Sequence, residues 1–308
     1  MNSIQLEVNS LLVGETTYQT LYINLTKPQT LISPASIVPL ALPNELDLTR
    51  EIVISGQAPL WLQVRLMWRC REAPWVGCHA ARDNQIVVVH SQVSSPTIGD
   101  SLPVQLNRRP CPTILIGGPP NSGKSVFSNA LRQSLLNQGQ RVFLHRASWD
   151  GEGNWAYEAD NTTLVDSLVR HNEFRIHEDP RTAKEIPSFF EKQAQTVTNL
   201  RQLTDCLLVD TGGLPQLEKR PLVEQCSHYI VISRLPDEIE KWHKLCASKL
   251  TALVVIHSVL EPTYRILKKD PILEIEAGPW LVDQEPVMPN IVLETILEVL
   301  RSHNQTNE

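Results

Sequence analysis

The chain has 308 residues, 42% of them hydrophobic and 20% charged, with a net charge of −6, a composition that excludes a disordered polymer and allows two domains with a core each. Its longest apolar stretch, around Leu253 to Leu260, is interrupted by His257 and Ser258 and falls far short of the ~18 to 20 residues of a membrane span, so no membrane partner is expected. The start, MNSIQLEVNS, lacks a basic segment followed by a hydrophobic one, which points to a cytoplasmic protein; the six cysteines form no CxxC pair and read as free thiols rather than zinc ligands or disulfides.

In chain order, the first hundred or so residues read as short strands with one or two helices. Segment 18–24 (YQTLYIN) is strand-like, and 51–55 (EIVIS) is a β-branched run ending at Gly56. From Leu60 to Arg71, Trp61, Val64 and Trp68 recur at helical spacing, which predicts a helix with these three on its buried face and Arg65, Arg69 and Glu72 on a neighbouring one. Pro74 ends it. Residues 75–79 and 86–90 flank the polar turn AARDNQ and read as a hairpin. Pro103, Pro110 and Pro112 then disfavour continued helix, giving a small α+β N-terminal domain over residues 1–106, a linker at 107–112 and a second domain over 113–308.

Charge is unevenly shared between these parts. Residues 1–112 hold eight basic and eight acidic side chains, whereas 113–308 hold 20 and 26. Four of the early arginines, Arg65, Arg69, Arg71 and Arg82, fall within eighteen residues beside only Glu72 and Asp83. Because arginine's planar fork matches phosphate oxygens, the group reads as a site for a phosphorylated ligand or, equally, as a solvated helix face. No duplex-DNA partner is expected.

The second domain alternates strand and helix: strands at 113–117, 141–144, 206–210, 229–233 and 253–256, helices at 123–137, near 183–203 and at 287–301. That alternation predicts an α/β P-loop NTPase domain, a parallel sheet with helices on both faces. The loop itself is Gly118-Pro119-Pro120-Asn121-Ser122-Gly123-Lys124-Ser125, a complete Walker A motif between a β run and a helix. Its backbone N–H groups are suited to the β-phosphate, Lys124 to the terminal phosphates, and the Ser125 hydroxyl to Mg²⁺. "CLLVDTGG" supplies a second motif: Asp210 at a strand end as a further Mg²⁺ ligand, with Gly212 and Gly213 allowing close approach of the backbone to the γ-phosphate. In "RASWDGEGNW" Asp150 is the candidate base for phosphoryl transfer, with Glu152 beside it, and Arg175, Arg181 and Arg234 are candidate phosphate contacts or surface residues. No guanine-selecting tetrapeptide follows the later strands, so ATP is the expected nucleotide, in a kinase-like single-sheet domain.

The upstream stretch "ISGQAPLWL", with Ser55, Gly56, Pro59 and Trp61 at fixed spacing, followed by the helix and hairpin, resembles the CRISPR-associated Csx-three family over roughly residues 3–106. The resemblance implies a type III ring nuclease that binds and cleaves cyclic tetra-adenylate, works as a homo-oligomer (dimer or tetramer) and uses manganese; fusion to a P-loop domain, often labelled AAA, is a known architecture. The residues themselves offer ligand contacts beside it: the turn at Ser55, Gly56 and Gln57 supplies backbone donors, and Arg65 and Arg69 supply guanidinium groups for phosphodiesters. Family members carry a histidine near the helix end and an aspartate two residues before an arginine at the hairpin; the matching positions here are Arg71, Ala80 and Arg82. Arg71 and Arg82 are therefore read as charge-stabilising groups, with His79 or His90 as proton acceptor, and metal-independent cleavage is expected because the aspartate is missing. Two readings result: a cyclic tetra-adenylate ring nuclease modulated by ATP, or a cyclic-nucleotide-sensing P-loop kinase or NTPase whose first domain does not cleave. A nucleotide-switched scaffold without catalysis is a third.

Overall fold

The computed structural model describes residues 4–25, 34–56, 58–106, 109–148, 183–281, 284 and 286–305. They fall into two units, Met1–Arg108 and Arg109–Glu308.

In the first unit, β1 (Ile4–Val13), β2 (Thr16–Leu25), β3 (Ile52–Ser55), β4 (Trp75–Ala80), β5 (Gln85–Ser91) and β6 (Ser101–Pro103) form one sheet in sequence order. The outer pairs are antiparallel, whereas β2, β3 and β4 run parallel. The expected 75–79 and 86–90 hairpin is present as β4 and β5. Strand β1 had escaped sequence reading because only Ile4 and Leu11 along it are buried, which leaves a weak apolar alternation.

The crossover between the parallel strands β3 and β4 is helix α1 (Leu60–Arg69). Its core face is Leu62 and Leu66, which join Ile23, Ile52, Ile54, Cys70 and Val76 in one apolar cluster. The stripe expected to be buried lies elsewhere: Val64 is 52% and Trp68 54% exposed, and Trp61 is half-buried. Two apolar sets share helical spacing in LWLQVRLMWRC, and the sheet takes the leucine set. The Arg71 guanidinium instead stacks on the outward Trp68, 4.3 Å from its ring centroid.

The second unit holds β7 (Thr113–Gly117), α2 (Lys124–Asn137), β8 (Val142–Ala147), α3 (Ile186–Leu200), β9 (Cys206–Thr211), α4 (Arg220–Val223), β10 (His228–Ser233), α5 (Pro236–Cys246), β11 (Thr251–Ser258), β12 (Thr263–Lys268), β13 (Leu273–Gly278) and α6 (Asn290–Gln305). The strand order is β12-β13-β11-β10-β7-β9-β8. All neighbours are parallel except β12, which folds back on β13, so the expected parallel sheet gains one antiparallel edge strand. Ile114, Ile116, Leu208, Ile230 and Val254 pack with α2 and α6 residues on one face. The alternate residues Leu115, Leu207, Val209 and Val231 are also buried, and α3 and α5, which supply none of that cluster, pack on β8, β9 and β10. Among the described residues no helix is long and apolar enough to cross a membrane.

Candidate functional site

The five residues TILIG of β7 are all buried, so the strand ends abruptly where the chain must turn up into α2. Gly118, at φ 153, passes so close to β10 that an added Cβ would come within 2.0 Å of the Ile232 carbonyl oxygen. Asn121 and Gly123 also take positive φ, and Gly123 precedes the first residue of α2. The loop thus wraps the helix N-terminus, whose first N–H groups have no partner within the helix and favour an anion.

Three charged side chains meet there. Lys124, almost fully buried, donates from Nζ to the carbonyl oxygen of Pro119 at 3.3 Å, folding back over the loop. Ser125 Oγ donates to Asp210 Oδ2 at 2.7 Å. This contact follows from the strand order: β9 adjoins β7 directly, with Asp210 in register with Ile116. Arg146, at the carboxyl end of β8, brings Nε to 3.8 Å from the same Asp210 oxygen. A fourth group is Lys219, a buried lysine of the turn after β9, whose ammonium is pushed down to about 7 by burial first and by repulsion from Lys124 second.

Among the described residues the buried Ser122 hydroxyl of the loop has no hydrogen-bond partner. That fits a ligand oxygen reaching the loop. The paired oxygens of Ser125 and Asp210 are the hard donors that suit Mg²⁺. Gly213 touches the loop, since an added Cβ would lie 2.6 Å from the nitrogen of Pro120.

Sequence reasoning missed Arg146 and Lys219. Arg146 had a usable signal, its place at the carboxyl end of a strand beside the loop strand. Lys219 had none, because a lysine in PQLEKRP reads as surface. Arg234 is exposed, and Asp150, Glu152, Arg175 and Arg181 lie outside the described residues.

In the first unit the candidate residues divide between two ends of the sheet. At the carboxyl ends of the parallel β3 and β4, Ser55 Oγ lies 3.1 Å from His79 Nδ1, and Arg82 sits in the hairpin turn just beyond Ala80. Burial holds His79 below the ordinary histidine range, and among the described residues its buried Nε2 has no hydrogen-bond partner. At the opposite end, His90, paired in register with Val76, has Nε2 2.8 Å from the carbonyl oxygen of Arg71. His90 is four residues along β5 from Ile86, the partner of His79, or about 13 Å at the usual strand rise. The arginines adjacent in sequence are thus not one patch in space.

Of the expected ligand contacts, Arg65 is exposed, whereas Arg69 turns inward and donates from Nη1 to the carbonyl oxygen of Leu40, tying the segment after β2 to α1. Gly56 is packed over Ile23 of β2, and Gln57 lies outside the described residues.

The second unit, with a Walker A loop between the first strand and helix of a parallel sheet and Asp210 on the adjoining strand, has the P-loop NTPase fold. Residues 25–103 match the family model described as CRISPR-associated protein (Cas_csx3). The chain thus carries a segment similar to Cas_csx3 ahead of a domain with the P-loop NTPase fold. Solved structures similar to it include MinD, the septum site-determining protein of Pyrococcus horikoshii, complexed with Mg-ADP (14% identity, TM-score 0.35, 60% of this chain and 77% of that one). A plasmid partition protein from Borrelia burgdorferi (12%, 0.37, 61% and 99%) and the kinase domain of the Escherichia coli tyrosine kinase ETK (11%, 0.34, 47% and 67%) are also similar. No curated protein matches the chain.

Proposed function

We propose that the protein is a type III CRISPR accessory enzyme that binds and degrades cyclic tetra-adenylate at its first domain, under the influence of ATP and Mg²⁺ held by the second. The observation that carries the reading is the Ser55–His79 pair beside the Arg82 turn, at the carboxyl edge of the parallel strands of the Cas_csx3 segment.

A neutral imidazole is what such a site needs, and burial keeps His79 in that form at neutral pH. With Nδ1–H donating to Ser55, Nε2 has a lone pair to accept the proton of a ribose 2′-hydroxyl. The 2′-oxygen then attacks the adjacent phosphorus, the bond to the 5′-oxygen breaks, and water supplies the leaving oxygen with its proton. The products are a 2′,3′-cyclic phosphate and a free 5′-hydroxyl, so the ring opens without a metal ion. Arg82 offsets the charge that builds on the phosphoryl oxygens.

In the second domain ATP is held by residues 118–125, with Ser125 and Asp210 as the residues that would hold Mg²⁺. Mg²⁺ there would neutralise phosphate charge, while Lys124 and the α2 N-terminus orient the triphosphate.

The assembled Ser125–Asp210–Arg146 cluster favours a second reading, in which phosphoryl transfer or ATP hydrolysis is the output and the first domain only senses the cyclic ligand. One experiment separates the two. Cyclic tetra-adenylate is incubated with the protein, with and without ATP and Mn²⁺, and chromatographed. Linear products in the absence of metal support cleavage; tight binding with the ring returned intact under all conditions replaces it with the sensor.

The cyclic ligand presents four equivalent phosphates, and one domain carries Arg82 and Arg71 at opposite ends of its sheet. A symmetric homo-oligomer is the arrangement that brings both ends to one ring. Light scattering is expected to give a dimer or tetramer, and a monomer both free and with ligand would overturn this.

A further inference from the structure

Lys219 ends the short 3-10 turn Leu217–Lys219 and is only 1% exposed. Lysine is seldom buried without a partner of opposite charge. Among the described residues no carboxylate lies within ion-pair range of its ammonium, which donates to the carbonyl oxygen of Gly212 and faces the rings of Trp242 at 5.1 Å and Phe190 at 5.8 Å. Trp242 in turn presses on Gly117, where an added Cβ would come within 2.5 Å of the indole. The ammonium is thus enclosed, with one hydrogen-bond acceptor among the described residues.

That acceptor decides the orientation of a peptide. The carbonyl of Gly212 and the N–H of Gly213 belong to one trans unit, in which they point to opposite sides. With the carbonyl drawn towards Lys219, the Gly213 N–H is turned the other way, at the point where Gly213 abuts Pro120. Pro119 and Pro120 have no N–H of their own, so this side of the loop is short of donors.

We propose that Lys219 is a positioning residue for the terminal phosphate: by holding the Gly212 carbonyl it aims the Gly213 N–H into the phosphate loop, and so makes the site distinguish a nucleoside triphosphate from a diphosphate. The inference rests on nucleotide binding at the loop, as proposed above. The lowered proton affinity of Lys219 is in keeping with it, because an anion arriving beside Lys124 restores the charged form.

The test is titration calorimetry of the full-length protein with AMPPNP and with ADP, both with Mg²⁺. Wild type is expected to bind AMPPNP the more tightly. Lys219→Met, close in shape but without the donor, is expected to weaken AMPPNP by about tenfold, the scale of one hydrogen bond to a charged group, while ADP stays within about twofold. If Lys219→Met fails to fold, Lys219→Gln, which shortens the reach and removes the charge, is held to the same criterion. Equal wild-type affinities for the two nucleotides overturn the inference whatever the variants do. So does an unchanged AMPPNP affinity in the variant, or an equal loss for both nucleotides, which marks a purely structural lysine. Wild type binding neither nucleotide instead overturns the nucleotide reading itself, and this inference with it.

Discussion

Replacing Lys124 with alanine is expected to weaken ATP binding by about a hundredfold or more while leaving the domain folded. The lysine folds back over the loop backbone, and each charge-assisted hydrogen bond it would make to a phosphate is worth about 1.5–3 kcal/mol, so losing two removes at least two decades of affinity. The fold tolerates the change because the adjacent core contacts of α2 come from Val126, Phe127 and Leu131. Calorimetry with ATP checks the first part, and unchanged affinity in a folded variant would sink it. Thermal melts across pH check the second. The Lys219 proton affinity is lowered from 10.5 to about 7, so between these values the unfolded chain binds more protons than the folded one, and stability rises with pH. Lys124 is the second cause of that lowering, so the total rise is expected to be smaller in Lys124→Ala.

The second large effect belongs to the first domain. Arg82→Ala is expected to reduce cleavage of cyclic tetra-adenylate by about 10² to 10³-fold and to weaken its binding, because the same guanidinium meets the phosphate before and during reaction. His79→Ala is expected to reduce cleavage by about 10² to 10⁴-fold with binding largely retained, the mark of a proton acceptor. Single-turnover rates with a labelled ring, set beside direct binding, separate the two. Burial disfavours the imidazolium of His79, so the acid limb of the wild-type profile is expected below 6.5, the ordinary histidine value. A loss of cleavage already above it would assign the proton transfer to another group. Equal cleavage by Arg82→Ala and wild type would remove Arg82 from the reaction.

Much of the molecule is legible in short stretches. TILIG followed by GPPNSGKS carries a buried strand, a turn that needs glycine and a helix start within thirteen residues, and LLVDTGG carries the same kind of local instruction for β9. These segments are determined by near neighbours: β-branched runs favour extended chain, and the glycines permit backbone that other residues resist. Hence the loop, Lys124, Ser125 and Asp210 were identifiable before any contact between them was known.

What lay beyond reach depends on pairs distant in the chain. LWLQVRLMWRC offers two apolar stripes at one period, and only the sheet beneath α1 decides that Leu62 and Leu66 go in while Val64 and Trp68 stay out. Arg71 and Arg82 stand eleven positions apart in sequence, yet a crossover and a strand carry them to opposite ends of the domain. Lys219 reads as a solvent-exposed cation until α3, α5 and the turn after β9 close over it. Sequence by itself determined the two kinds of domain and the nucleotide motif, because these rest on local backbone preference. Tertiary structure alone decided which cations face the phosphate loop and which histidine pairs with Ser55, because burial and register are properties of segments brought together from far along the chain.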